Sequence, residues 1–120
     1  MTGMSDIETL LAIEEIKLLK ARRDRACDTK DWALYRALLD KGRTTVHHSH
    51  TPDITFESPT KAKGIWGMED YIFDSETGDL LIHGFGFYHE TYEKRDGKWL
   101  FTSRQLKRTL VREKPESARA

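Results

Sequence analysis

Five histidines and a scatter of acids carry most of the chemistry this 120-residue chain could perform. Three of them, His47, His48 and His50, crowd one short stretch. An imidazole takes and returns protons near neutral pH, so such a cluster points to general acid–base work or to metal ligation. In an extended segment side chains alternate, which sends His47 and Ser49 to one face and His48 and His50 to the other. His48 and His50 could chelate a cation with His89 or Glu90. The spacing matches no zinc pattern, however, and neither a metal nor an organic cofactor is expected. His83 and His89, on the face of Phe85 and Phe87, are secondary candidates for proton handling. Cys27 is the only cysteine. It cannot close an internal disulfide, and the neighbouring Asp28 carboxylate disfavours its thiolate, so no nucleophilic role is expected.

Aromatic residues suggest where a ligand would lie. Trp66, Met68, Tyr71, Phe85, Phe87, Tyr88 and Trp99 would line a pocket for a flat apolar molecule or fill an ordinary core. Alternation places Glu69 and Tyr71 on one face, and Trp66, Met68 and Asp70 on the other. An acid on a concave apolar face would have a raised pKa and could donate a proton. The competing reading for both acids is solvent exposure or pairing with Arg or Lys. The Gly84–Phe87 run, Gly-Phe-Gly-Phe, lies inside a predicted strand and opens no helix, so it is no dinucleotide fingerprint.

The elements that must position these residues follow from local patterns. Ser5 and Glu8 have capping-box spacing, and Leu10, Ile13, Ile16 and Leu19 trace a stripe on a helix running to about Ala26 or Cys27. Asp28 and Thr29 are expected to interrupt it and cap a second helix carrying Trp32, Tyr35, Leu38 and Leu39, which Gly42 stops. Strands are expected over Thr44–His50, Ile54–Glu57, Ala62–Phe73, Leu80–Lys94 and Lys98–Arg112, with Pro52 at a bend or edge and Asp96–Gly97 as a hairpin turn. Gly64, Gly67, Gly84 and Gly86 fall inside strands, where glycine marks bulges and bends, so the sheet should curl. Helices followed by consecutive strands give an α+β domain over 1–113 with a frayed tail over 114–120.

Composition narrows the partners. Lys plus Arg and Asp plus Glu both number 20, so no overall basic field draws nucleic acid or anionic lipid. The late cluster Lys107, Arg108 and Arg112 reads as a solvated face. There is no apolar run long enough for a membrane span and no leader pattern at the start. The lone cysteine fits a reducing, cytoplasmic setting.

Three stretches resemble the SnoaL-like branch of the NTF2-like superfamily. They are Ile16-Lys-Leu-Leu-Lys-Ala-Arg followed by Ala26-Cys-Asp-Thr-Lys-Asp-Trp32, then Thr45-Val-His-His-Ser-His-Thr-Pro-Asp-Ile54, and Tyr88-His-Glu-Thr-Tyr-Glu-Lys-Arg-Asp-Gly-Lys-Trp99. The resemblance implies a cone-shaped half-barrel, two N-terminal helices on a curved antiparallel sheet. The usual third helix and first hairpin are missing between helix two and the His-bearing strand. Scytalone dehydratase-like members carry an Asp–His dyad, whose matching positions are Asp28 and His47. Arg23 stands where several of them have Tyr. By this resemblance Trp32, Trp66, Met68, Phe85, Phe87 and Tyr88 would hold a small hydrophobic substrate for a cofactor-independent lyase or isomerase. The alternatives are a non-catalytic ligand binder or a dimerising domain, with Asp28 a plain helix cap. The shortened chain would leave a strand edge that a homodimer covers.

Overall fold

The computed structural model describes residues 3–29 and 42–114. Ser5 opens α1 (Asp6–Thr29): the Glu8 N–H donates to Ser5 Oγ at 3.1 Å, and the Ser5 N–H reaches Glu8 Oε1 at 3.4 Å. Two otherwise orphaned donors are thereby satisfied. The helix continues through Asp28 and Thr29, which correct the expected break there. The second helix expected after them, with Trp32, lies outside the described residues.

Four antiparallel strands follow among the described residues, β1 (Arg43–Ser58), β2 (Lys61–Asp74), β3 (Leu80–Arg95) and β4 (Lys98–Glu113), in the sheet order β1-β2-β3-β4. Among the described residues the sheet stays open, with β1 and β4 as its edges. What the sequence suggested as two short strands around Pro52 is the single strand β1. Its register shifts between His50 and Asp53, where Thr51 adopts φ 45°. Proline has no N–H to give to a ladder, so an edge-strand bulge is where it fits. Asp96 and Gly97 both take positive φ, 51° and 78°, as a two-residue hairpin turn of this twist requires.

Helix α1 packs on the concave face. Ala12 and Ile16 meet Ala62, Trp66, Met68, Tyr88, Tyr92 and Trp99 in the core. The buried stripe of the helix is rotated from the expected one: Leu10 is 64% exposed, while Lys20 is 1% exposed. Periodicity alone could not set this rotation, because Leu10, Leu11, Leu18 and Leu19 offer several equivalent stripes. Gly64 leaves room for the Tyr92 ring, which is pinned by a 2.8 Å bond from Trp66 Nε1 and donates to Glu90 at 2.7 Å. A β-carbon at Gly64 would lie 2.9 Å from Tyr92 Cε2. Gly64→Ala is therefore expected to destabilise the fold by about 1–3 kcal/mol, read by urea unfolding, because the doubly bonded ring cannot yield.

Candidate active site

The helix and the edge strand meet in matched steps. Asp24 and Asp28 are one turn apart on α1, and Ser49 and His47 are two residues apart on β1. Four helical residues rise about 6 Å and two strand residues about 6.6 Å, so two antiparallel contacts form in register. Ser49 Oγ donates to Asp24 Oδ2 at 2.7 Å, and His47 Nδ1 lies 2.5 Å from Asp28 Oδ1. The second oxygen of Asp28 accepts the backbone N–H of His47 at 2.7 Å, and Thr45 Oγ1 donates to Oδ1 at 3.2 Å. Among the described residues the Asp28 carboxylate is committed to β1. Cys27 Sγ lies 3.7 Å from the same His47 nitrogen.

This arrangement fixes the tautomer. Asp28 accepts the Nδ1 proton and leaves Nε2 as the nitrogen that exchanges protons. Burial alone would push the His47 pKa down. The hydrogen bonds with Asp28 and Cys27 outweigh it and raise the value from 6.5 to about 10. A raised folded-state pKa stabilises the fold fully below the ordinary value, and the contribution is lost as pH rises through the folded one. Asp28→Asn should therefore cost about 2 kcal/mol at pH 6, the scale of a charge-assisted bond. The gap between the two proteins should close as pH passes 10. Urea melts of both across that range check it.

Deeper on the concave face, charged groups are paired. Lys20 Nζ donates to Glu90 Oε2 at 2.6 Å, with both side chains essentially buried. The ammonium lies 3.9 Å from the centre of the Tyr88 ring, and Arg104 covers that ring at 4.0 Å. Desolvation lowers the Lys20 pKa despite the favourable Glu90 carboxylate. Arg108 grips Asp70 with two bonds of 2.9 Å across Gly84, where any β-carbon would collide with both partners. Burial works to raise the Asp70 pKa, but the Arg108 guanidinium prevails and holds it below the usual carboxylate value. Asp70 is therefore no proton donor, and Arg108 is not part of a solvated face.

The expected ligand-holding residues separate. Trp66, Met68 and Tyr88 are buried on the concave face with the core. Phe85 and Phe87 correct the expectation, because alternation along β3 sends them to the convex face, where Phe87 is 45% exposed. His83 stacks on Tyr71 there, with ring centres 4.1 Å apart. His48 lies on that face too, 3.5 Å from Glu69, so it cannot share a cation with Glu90 on the other side. A convex-face groove of about 460 Å³, bordered by Asp53, Ile65 and His89, is likewise remote from His47. The sequence does not single out Lys20 or Asp24, and it offers Glu90 only as a cation ligand and Arg108 only as part of a solvated face; the structure gives Glu90 and Arg108 buried partners instead. The four-residue spacing of Lys20, Asp24 and Asp28 was the signal available, a charged stripe running along the side of α1 that meets the sheet.

The model of the SnoaL-like domain matches residues 33–105. A type 2 hexachlorocyclohexane dehydrochlorinase (LinA) superposes with a TM-score of 0.78 at 18% identity, covering 93% of this chain and 95% of that one. A protein from Novosphingobium aromaticivorans named for scytalone dehydratase gives 0.78 at 18%, covering 92% and 93%. A type 3 dehydrochlorinase from Novosphingobium barchaimii gives 0.72 at 18%, covering 93% and 96%. At that identity the likeness is one of fold: a helix on a curved, open antiparallel sheet of NTF2-like type.

Proposed function

This chain belongs to the SnoaL-like domain family, and from that premise we propose that it is a cofactor-independent lyase or isomerase in which His47 is the general base and Asp28 its orienter. The observation that carries this reading is the 2.5 Å contact between His47 Nδ1 and Asp28 Oδ1, with the other carboxylate oxygen anchored to the His47 backbone. The neutral imidazole would remove a proton next to a carbonyl or a leaving group through Nε2, and Asp28 would stabilise the imidazolium that forms. The substrate class is a small hydrophobic molecule, in keeping with the small-molecule chemistry for which the neighbouring structures are named; Trp66, Met68 and Tyr88 belong to the core and would only back such a site.

The test uses 5-nitrobenzisoxazole, whose ring opens with a colour change on loss of one carbon-bound proton. The native chain should accelerate the opening, with a rate that climbs as pH rises toward 10, as neutral His47 accumulates. A rate no faster than buffer at every pH would count against the reading.

A second reading, a dimerising domain without chemistry, is favoured by the convex face. Ile65, Phe87, Leu100 and Leu110 are between 39% and 50% exposed there. We assign that face to a homodimer contact in the reducing setting that the single cysteine suits. Sedimentation of Phe87→Lys tests it: a dimer that becomes monomer supports the contact, and a native monomer removes it.

A further inference from the structure

We propose that Cys27, Asp28 and His47 form a binding site for one divalent cation of the zinc class, which competes with the proton joining His47 to Asp28. The sulfur, a carboxylate oxygen and the ring nitrogen all lie within 4.8 Å of one another. Around a tetrahedral zinc, with bonds of about 2.3 Å to sulfur and about 2.05 Å to nitrogen, the two ligand atoms stand about 3.5 Å apart. Cys27 Sγ and His47 Nδ1 are already 3.7 Å apart. The Asp28 oxygen is closer to Nδ1, at 2.5 Å, because a proton lies between them. A cation entering there must displace that proton and widen the pair to about 3.4 Å, the tetrahedral oxygen–nitrogen spacing.

The donor set selects the ion. One thiolate, one imidazole and one carboxylate suit zinc or cobalt, whereas calcium and magnesium need six or more oxygen ligands. Thiolate and carboxylate together balance the two positive charges, so the filled site is neutral and matches its half-buried surroundings. The outer support is also built. Asp28 Oδ2 is held by the His47 backbone N–H, and Thr45 Oγ1 donates to Oδ1, which orients the carboxylate as a ligand. Three protein ligands leave a fourth position for water. The inference shares its residues with the proposed reaction but does not rest on turnover. A filled site ties up Nδ1 and removes the carboxylate that sets the tautomer.

The test titrates Co²⁺, a coloured substitute for zinc, into reduced, chelator-stripped protein. One equivalent should produce a thiolate-to-cobalt charge-transfer band, which Zn²⁺ then bleaches. Cys27→Ser should abolish the band and weaken zinc binding by at least about 100-fold, since even outer-shell losses cost 10- to 100-fold. The pair His48→Asn and His50→Asn, on the convex face, should leave both unchanged. Absence of the band at one equivalent would overturn the proposal, as would zinc uptake that survives Cys27→Ser and disappears in the His48/His50 variant. The readout is spectroscopic, so failure of the base reading and failure of this site are seen separately.

Discussion

Replacing Glu90 with Gln should destabilise the protein by about 3–5 kcal/mol, the usual cost of removing one partner of a buried ion pair. The carboxylate accepts from Lys20 at 2.6 Å and from Tyr92 at 2.7 Å, and Arg104 Nε lies 3.3 Å away. Gln keeps a hydrogen-bonding shape but leaves the Lys20 ammonium uncompensated. Arg104 is 26% exposed at its side chain and can turn to water; Lys20, at 1%, cannot. The Lys20 pKa, already lowered by burial, falls further in the variant, so the amine must shed its proton to stay inside. A depressed lysine binds its proton only in the unfolded chain, so the penalty grows as pH falls. Combining Glu90→Gln with Lys20→Met should recover most of the loss, since an apolar replacement for a buried pair is often neutral. Urea unfolding at two pH values separates the three proteins. A single variant within 1 kcal/mol of native would contradict the pairing.

The second large effect falls on chemistry. His47→Gln should slow opening of the benzisoxazole by about 100- to 10,000-fold, the range a positioned general base supplies. Asp28→Asn should fall nearly as far, because it loses the acceptor that fixes the tautomer. The double variant should be little worse than either single one, since the two residues act as a unit. Ser49→Ala, one step along the strand, should leave the rate within about threefold, because its partner Asp24 does not touch His47. Independent losses that multiply in the double variant would mean that Asp28 and His47 do not cooperate.

Much of this arrangement is legible in the sequence. The Ser5–Glu8 cap, the Asp96–Gly97 turn and the alternation that puts Trp66, Met68 and Asp70 on one face all rest on local rules. His47 and Ser49 share the helix-facing side of β1 for the same reason. What escaped was set by tertiary contacts. Leu10 looked core-facing because a leucine-rich helix offers several stripes, and only packing selects the one containing Lys20. Phe85 and Phe87 were grouped with Tyr88 by chemistry, against the alternation that separates them. Arg108 looked like part of a surface cluster, since nothing local reveals that Gly84 opens a path to Asp70. Asp28 looked like a cap because its partner lies 19 residues away. The resemblance to the SnoaL-like family supplied the pairing that spacing could not.

The measurement that bears most directly on the dyad is an NMR pH titration of the five histidines in metal-free buffer, in the native protein and in Asp28→Asn. The account predicts one imidazole, assigned to His47, that titrates well above 6.5 and toward about 10, and that drops on the substitution. Five histidines titrating near 6.5 and indifferent to Asp28 would contradict it, and Asp28 would then be a structural tie between α1 and β1.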